Sequence, residues 1–171
     1  MDQPSQTAGK SDTTPFDGTV LEPLARAFAI DFRGPERQPN LLLVAVATVV
    51  SLAGSLVADA LIAVLFTKVF PHLSDYPHFQ FADYAKLTVI GVVVACVAWP
   101  VTTRLTSRPR WLFRIMAVVV TVVLLAPDAY LLVIGSSPTA VLGLVIMHLA
   151  IALVTYNALV RIAPAGPDRS R

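Results

Sequence analysis

Charge, cysteine and catalytic motifs are all scarce in this chain. Only 14% of its 171 residues are charged, against about 25% in an ordinary soluble domain. A large water-soluble core beneath a solvated surface is excluded. The formal charge of +2 is small, and the basic residues follow topology, so no nucleic-acid partner is expected. A single cysteine, Cys96, rules out an internal disulfide and any C-x-x-C metal or redox motif. Inside an apolar run it reads as a small buried hydrophobe. Alternating ten-residue strand patterns are missing, which argues against a β-barrel. There is no G-x-S-x-G, H-E-x-x-H, P-loop or dinucleotide fingerprint. Gly34, Gly54 and Gly91 are isolated, so nothing cradles a phosphate, and no serine has a base at a recognisable spacing. No catalytic residue, metal or cofactor is assigned, and an enzyme is the less favoured class.

What is abundant is apolar residue, 56% of the chain, gathered into runs. From Leu41 to about Phe66 the only charge is Asp59. At about 1.5 Å per residue that run crosses a bilayer. Three more follow, over about 85–105, 111–134 and 139–160. Backbone groups in hydrocarbon must pair within their own segment, so the fold class is all-α, a four-helix transmembrane bundle spanning 41–162.

The flanks are different. Residues 1–40 form a tail whose first 18 residues are polar and expected to be disordered. Val20, Leu21, Leu24, Phe28 and Phe32 then recur at helical spacing behind Glu22 and Pro23, marking a candidate amphipathic helix over about 20–32 on the membrane surface. Arg33-Gly34-Pro35 breaks it. No signal peptide is expected, because the first apolar run begins about 40 residues in and is too long for a signal core. Residues 163–171 form a polar tail.

Along the first span Ala47, Ser51, Ser55 and Asp59 recur every four residues and share one face. Small side chains let helices approach closely, so Asp59 is expected to point into the bundle. The second span carries Gly91, Ala95, Ala98 and Thr102 as a similar face. Between them, Phe70 to Tyr84 holds Pro71, Pro77 and five aromatics, the pattern of an interfacial belt. In the third span Pro127 precedes Asp128, so a kink is expected there. His148 lies near the middle of the fourth.

Orientation follows from the basic residues. Arg26, Arg33, Arg37, Arg104, Arg108, Arg110, Arg114, Arg161, Arg169 and Arg171 fall on one side, and Lys68 and Lys86 on the other. This positive-inside bias predicts cytoplasmic termini in a multi-pass protein of the cell membrane. The arginines at 104–114 also suit anionic headgroups.

Asp59 lies about 18 residues up its span and Asp128 about 17 up the third, which would give the carboxyls one depth. His148 is about ten residues down the fourth, so the three are candidate neighbours. An ionised carboxylate buried alone is costly, so each is expected to be protonated, paired or facing water. Two uses stay open. One is a small outward-facing polar cavity for proton exchange or a cationic group. The other is interhelical glue through Ser55, Thr121, Tyr156 or the carbonyl freed by Pro127. A metal site of two carboxylates and an imidazole, or of His72, Asp75 and His78 in the loop, has acceptable ligand chemistry but no spacing motif.

Leu87-Thr88-Val89-Ile90-Gly91, Pro127-Asp128 and Met147-His148-Leu149 together give the chain its distinctive pattern over about 41–163. In these it resembles a group of small four-span actinobacterial membrane proteins known only as a domain of unknown function. That resemblance implies an inner-membrane protein and brings no activity or site residue with it. The first expectation is a non-enzymatic accessory or interaction component in the lipid bilayer, meeting a membrane-protein partner or a second copy. The alternative is a small proton-coupled transporter or exporter, dimeric because one bundle offers a narrow path, using Asp59, Asp128 and His148. A lipid-headgroup enzyme with Asp59 or Asp128 as general base ranks last.

Overall fold

The computed structural model describes residues 19–28, 30, 32 and 38–166. The polar stretch 1–18, the Arg33-Gly34-Pro35 break and residues 167–171 lie outside the described residues.

A short helix, α1 (Glu22–Ala27), occupies part of the 20–32 stretch. Pro23 stands in its first turn, where a missing amide hydrogen costs nothing, and Glu22 and Arg26 complement its dipole. It is shorter than the periodicity predicts because the chain turns away. Phe32 takes φ 52° and its amide donates to the Leu105 carbonyl at 3.0 Å.

Four long helices follow, α2 (Leu41–Val69), α3 (Phe81–Leu105), α4 (Pro109–Val133) and α5 (Pro138–Ile162). Each is long and apolar enough to cross a membrane, and together they make an all-α, multi-pass membrane protein. Their ends are chemically marked. Asn40 caps α2 by accepting from the Leu42 amide at 2.8 Å. Pro109 and Pro138 open α4 and α5. Beyond α4, the Ser136 amide donates to Leu131 and the Gly135 amide to Leu132, with Gly135 at φ +90°, a left-handed cap that glycine adopts without strain. Helix α4 runs through Pro127 as one element.

In the bundle α2 packs on α3 and α5, and α4 on the same two. The α2–α5 seam is the most extensive. On α2 the buried residues are Ala47, Ser51, Ser55, Asp59, Ala63 and Phe66, the small-residue face continued to the end of the helix. Gly54 brings the seam close, for a Cβ there would lie 2.9 Å from Val154 Cγ1. Helix α3 meets expectation in part: Thr102 is buried and Ala95 and Ala98 pack against the core, but the buried face runs through Thr88, Val92, Cys96, Trp99 and Thr103, while Gly91 has nothing within 4 Å of a Cβ position. Two polar anchors set that rotation. Thr88 bonds to Asp59, and Trp99 Nε1 donates to the Ala163 carbonyl at 2.8 Å. The remaining outer surface is apolar and meets the lipid.

Each end of the bundle has its own apolar cluster. At one, Ala47, Val92, Cys96, Trp99, Phe113 and Leu159 pack together. The chain ahead of α2 joins this Trp99 end, where Thr103 Oγ1 donates to Gln38 Oε1 at 2.9 Å. At the other end the loop after α2 forms two 3₁₀ turns, Pro71–Leu73 and Pro77–Phe79, and buries Leu73 and Phe79. Part of the supposed headgroup belt is therefore core. Phe79 meets Phe66 edge-on at 6.1 Å and lies over Gly143, whose absent Cβ would be 2.6 Å from Phe79 Cζ.

Candidate functional site

Asp59 is fully buried, at 0% exposure, although it sits in a span. Thr88 explains how it is held: Thr88 Oγ1 donates to Asp59 Oδ2 at 2.6 Å across the α2–α3 contact. The other oxygen, Oδ1, has no hydrogen-bond partner. Thr88 stood in the sequence as part of a distinctive run and not as a site residue. A β-branched hydroxyl seven positions into a span carries no signal of its partner; the pairing emerges only once helix order is known.

Asp128 and His148 meet across the α4–α5 contact. His148 Nδ1 lies 3.1 Å from Asp128 Oδ2 and 3.0 Å from the carbonyl of Leu144 one turn back. Asp128 is five residues from the end of α4 and His148 ten from the start of α5. Helix rise alone would set them about 7 Å apart in depth. Side chains lean toward the N-terminus of their own helix, so in antiparallel neighbours the Asp128 carboxyl reaches inward and the imidazole outward until they touch. The Nδ1 to Oδ2 approach is an ion-pair distance without hydrogen-bond alignment, and Oδ2 has no other partner. The His148 side chain is 25% exposed and that of Asp128 only 6%, so the ring is the open side of the pair.

The two carboxyls do not share a depth. Helix α2 continues three residues past Phe66 to Val69, so Asp59 lies ten residues from its end, twice the distance of Asp128 from the end of α4. Asp59 is instead level with His148. Tyr84 is buried in the apolar cluster at the Phe79 end. Tyr84 also lines a cleft of about 290 Å³ at the Phe79 end, with Ala60, Ala63, Thr67 and Gln80.

The supporting residues take separate places. Ser55 is buried on the seam with its hydroxyl unpartnered. Thr121 donates to the Ala117 carbonyl of its own helix at 2.7 Å. Tyr156 stacks on Phe113 at 5.8 Å, toward the Trp99 end. Pro127 faces outward beside the buried Asp128. The loop histidines also part company: His78 Nδ1 lies 3.4 Å from Asp83 Oδ2, and His72 sits edge-on to Phe70. Among the described residues no three His, Cys, Asp or Glu side chains gather where they would hold a metal ion.

The geometry amounts to a carboxyl with one vacant oxygen, a carboxyl facing an imidazole, and a partly open ring at the same level. Such a set can take up, pass and release a proton, or hold a small cation. No curated protein and no solved structure matches the chain. A family model does, over residues 24–165, taking in the end of α1 and all four long helices that carry these polar residues. The chain belongs to that family, DUF6069, a family of unknown function.

Proposed function

We propose that this is a small proton-coupled membrane transporter in which Asp128 and His148 take up and release the coupling proton. The observation that carries the reading is the shared Nδ1 of His148, facing both Asp128 Oδ2 and the Leu144 carbonyl. The nitrogen is aligned on Leu144, so Asp128 Oδ2 sits beside it without a hydrogen bond of its own. Structural glue favours aligned, satisfied bonds, because a buried polar atom left unmade costs about 1–3 kcal/mol. Here Asp128 Oδ2 and Asp59 Oδ1 both lack one. The unmet capacity suits a site whose proton count changes.

The basic residues support an orientation with the Trp99 end cytoplasmic. Arg104, Arg108, Arg110, Arg114 and Arg161 are exposed there, and Lys68 and Lys86 at the other end. In the plasma membrane of an actinobacterium, as the resemblance implies, the Phe79 cleft then faces outward. A homodimer fits, since one four-helix bundle offers a narrow path. An accessory component would place the activity in the chain ahead of α2 instead, where only α1 adds a described helix.

Thermal unfolding of the detergent-purified protein across pH 4 to 9 tests the reading. Asp128→Asn and His148→Gln should keep or raise Tm and remove a pH-dependent transition that the parent shows. A collapse of the fold in both variants, at every pH, makes the pair structural.

A further inference from the structure

We propose that Asp59, Ser55 and Thr155 form a binding site for a small dehydrated monovalent cation, Na+, in the seam between α2 and α5. The proposal goes beyond proton exchange and uses neither Asp128 nor His148; it shares only the unpartnered Asp59 Oδ1 with that reading.

Hydroxyls inside spans ordinarily satisfy themselves by donating to the carbonyl one turn back. Thr48, Thr67, Thr102 and Thr121 do this here, at 2.7 to 2.8 Å. On the seam the habit fails. Ser51, Ser55 and Thr155 are buried, and none of their hydroxyls has a partner. Asp59, on the same face of α2, adds a fourth buried oxygen without a partner, Oδ1.

Register draws three of them together. Gly54 stands against Val154, and Gly143 against Phe66, so α2 and α5 run antiparallel with Thr155 opposite the turn between Ser51 and Ser55. Side chains lean toward their own N-termini. Asp59 therefore leans along α2 toward Ser55, and Thr155 leans along α5 toward the same level from the facing helix. Ser55 and Asp59 are separated by one turn, about 6 Å of rise. Ser51 lies a further turn toward the Trp99 end and extends the polar strip beyond the site.

The donors are all oxygen, one of them a carboxylate, which selects a hard cation over a soft one. A single positive charge neutralises the single carboxylate. The approach of Gly54 to Val154 leaves no room for an organic cation. Thr88 completes the arrangement from behind, holding Oδ2 so that Oδ1 is presented to the seam, as an outer hydrogen bond orients a ligating carboxylate.

Binding to the folded state alone raises stability with ligand concentration. The full chain in detergent is unfolded in NaCl, KCl and choline chloride at equal ionic strength. Na+ should raise Tm above the other two salts and saturate. Thr155→Val, equal in shape but without the hydroxyl, should remove the Na+-specific shift, and Thr155→Ser should keep it. Equal Tm in the three salts, or a shift untouched by Thr155→Val, overturns the proposal and leaves the hydroxyls to water. Should Thr155→Val fail to fold, retention of ²²Na+ by the parent protein decides: saturable binding displaced by Na+ and not by K+ supports the site, and its absence overturns it.

Discussion

His148 and Asp128 are joined through one nitrogen: Nδ1 is 3.1 Å from the carboxylate oxygen and 3.0 Å from the Leu144 carbonyl. A neutral imidazole that donates from Nδ1 to either of them carries its proton there and leaves Nε2 bare, whereas a protonated ring carries both. With Asp128 ionised, a protonated ring balances it. With Asp128 protonated, the ring is free to bond Leu144 alone. Asp128→Asn removes the first state. In ¹⁵N NMR of labelled histidine, the His148 ring nitrogens should resonate differently in the parent and the variant; identical ring shifts uncouple the two residues.

Thr88 gives a cleaner structural test. Its hydroxyl is the only hydrogen bond described for the fully buried Asp59. Thr88→Val keeps the shape and strands both carboxyl oxygens, so it should destabilise the protein by about 1–3 kcal/mol. Thr88→Ser should restore most of that loss. Thermal unfolding of the two variants side by side checks the order.

Gly143 and Gly91 should respond in opposite ways. A methyl group at Gly143 would meet Phe79 Cζ at 2.6 Å and Phe66 Cδ1 at 3.2 Å, so Gly143→Ala must displace the aromatic ring that seals this end. It should lower Tm and expose the 70–80 loop to protease. Gly91 has open space, and Gly91→Ala should stabilise α3 by about 0.5–1 kcal/mol through helix propensity alone.

At the opposite end Trp99→Phe tests the anchor to the chain after α5. It keeps an aromatic ring against Phe113 and loses the 2.8 Å bond to the Ala163 carbonyl. A net loss of about 1 kcal/mol is expected, with the freed carbonyl buried at the Trp99 end. Unchanged stability would mean that the indole is held by packing alone.

Helix number and the α2 face were legible in the sequence because both are local. Hydropathy marks each span, and the four-residue recurrence of Ala47, Ser51, Ser55 and Asp59 needs only helical geometry to make a face. Helix α3 shows where that logic stops. Its small residues mark one face, of which Thr102 is buried, but Thr88 and Trp99 find distant partners and turn Gly91 outward. Part of the loop departs from expectation for a related reason. Aromatics near span ends suit headgroups in general, and nothing local reveals that Phe79 fits the gap left by Gly143. Asp59, Asp128 and His148 were visible as costly residues in apolar runs. Their pairing depends on helix order and on two helix ends, which composition does not encode.

Infrared difference spectroscopy of the membrane-reconstituted protein between low and high pH tests proton exchange most directly. A protonated carboxyl in an apolar site absorbs apart from the amide bands. Proton exchange at the pair predicts a carboxyl band that appears on acidification, vanishes in Asp128→Asn and shifts in His148→Gln. A difference spectrum with no such band, or one untouched by Asp128→Asn, would contradict it.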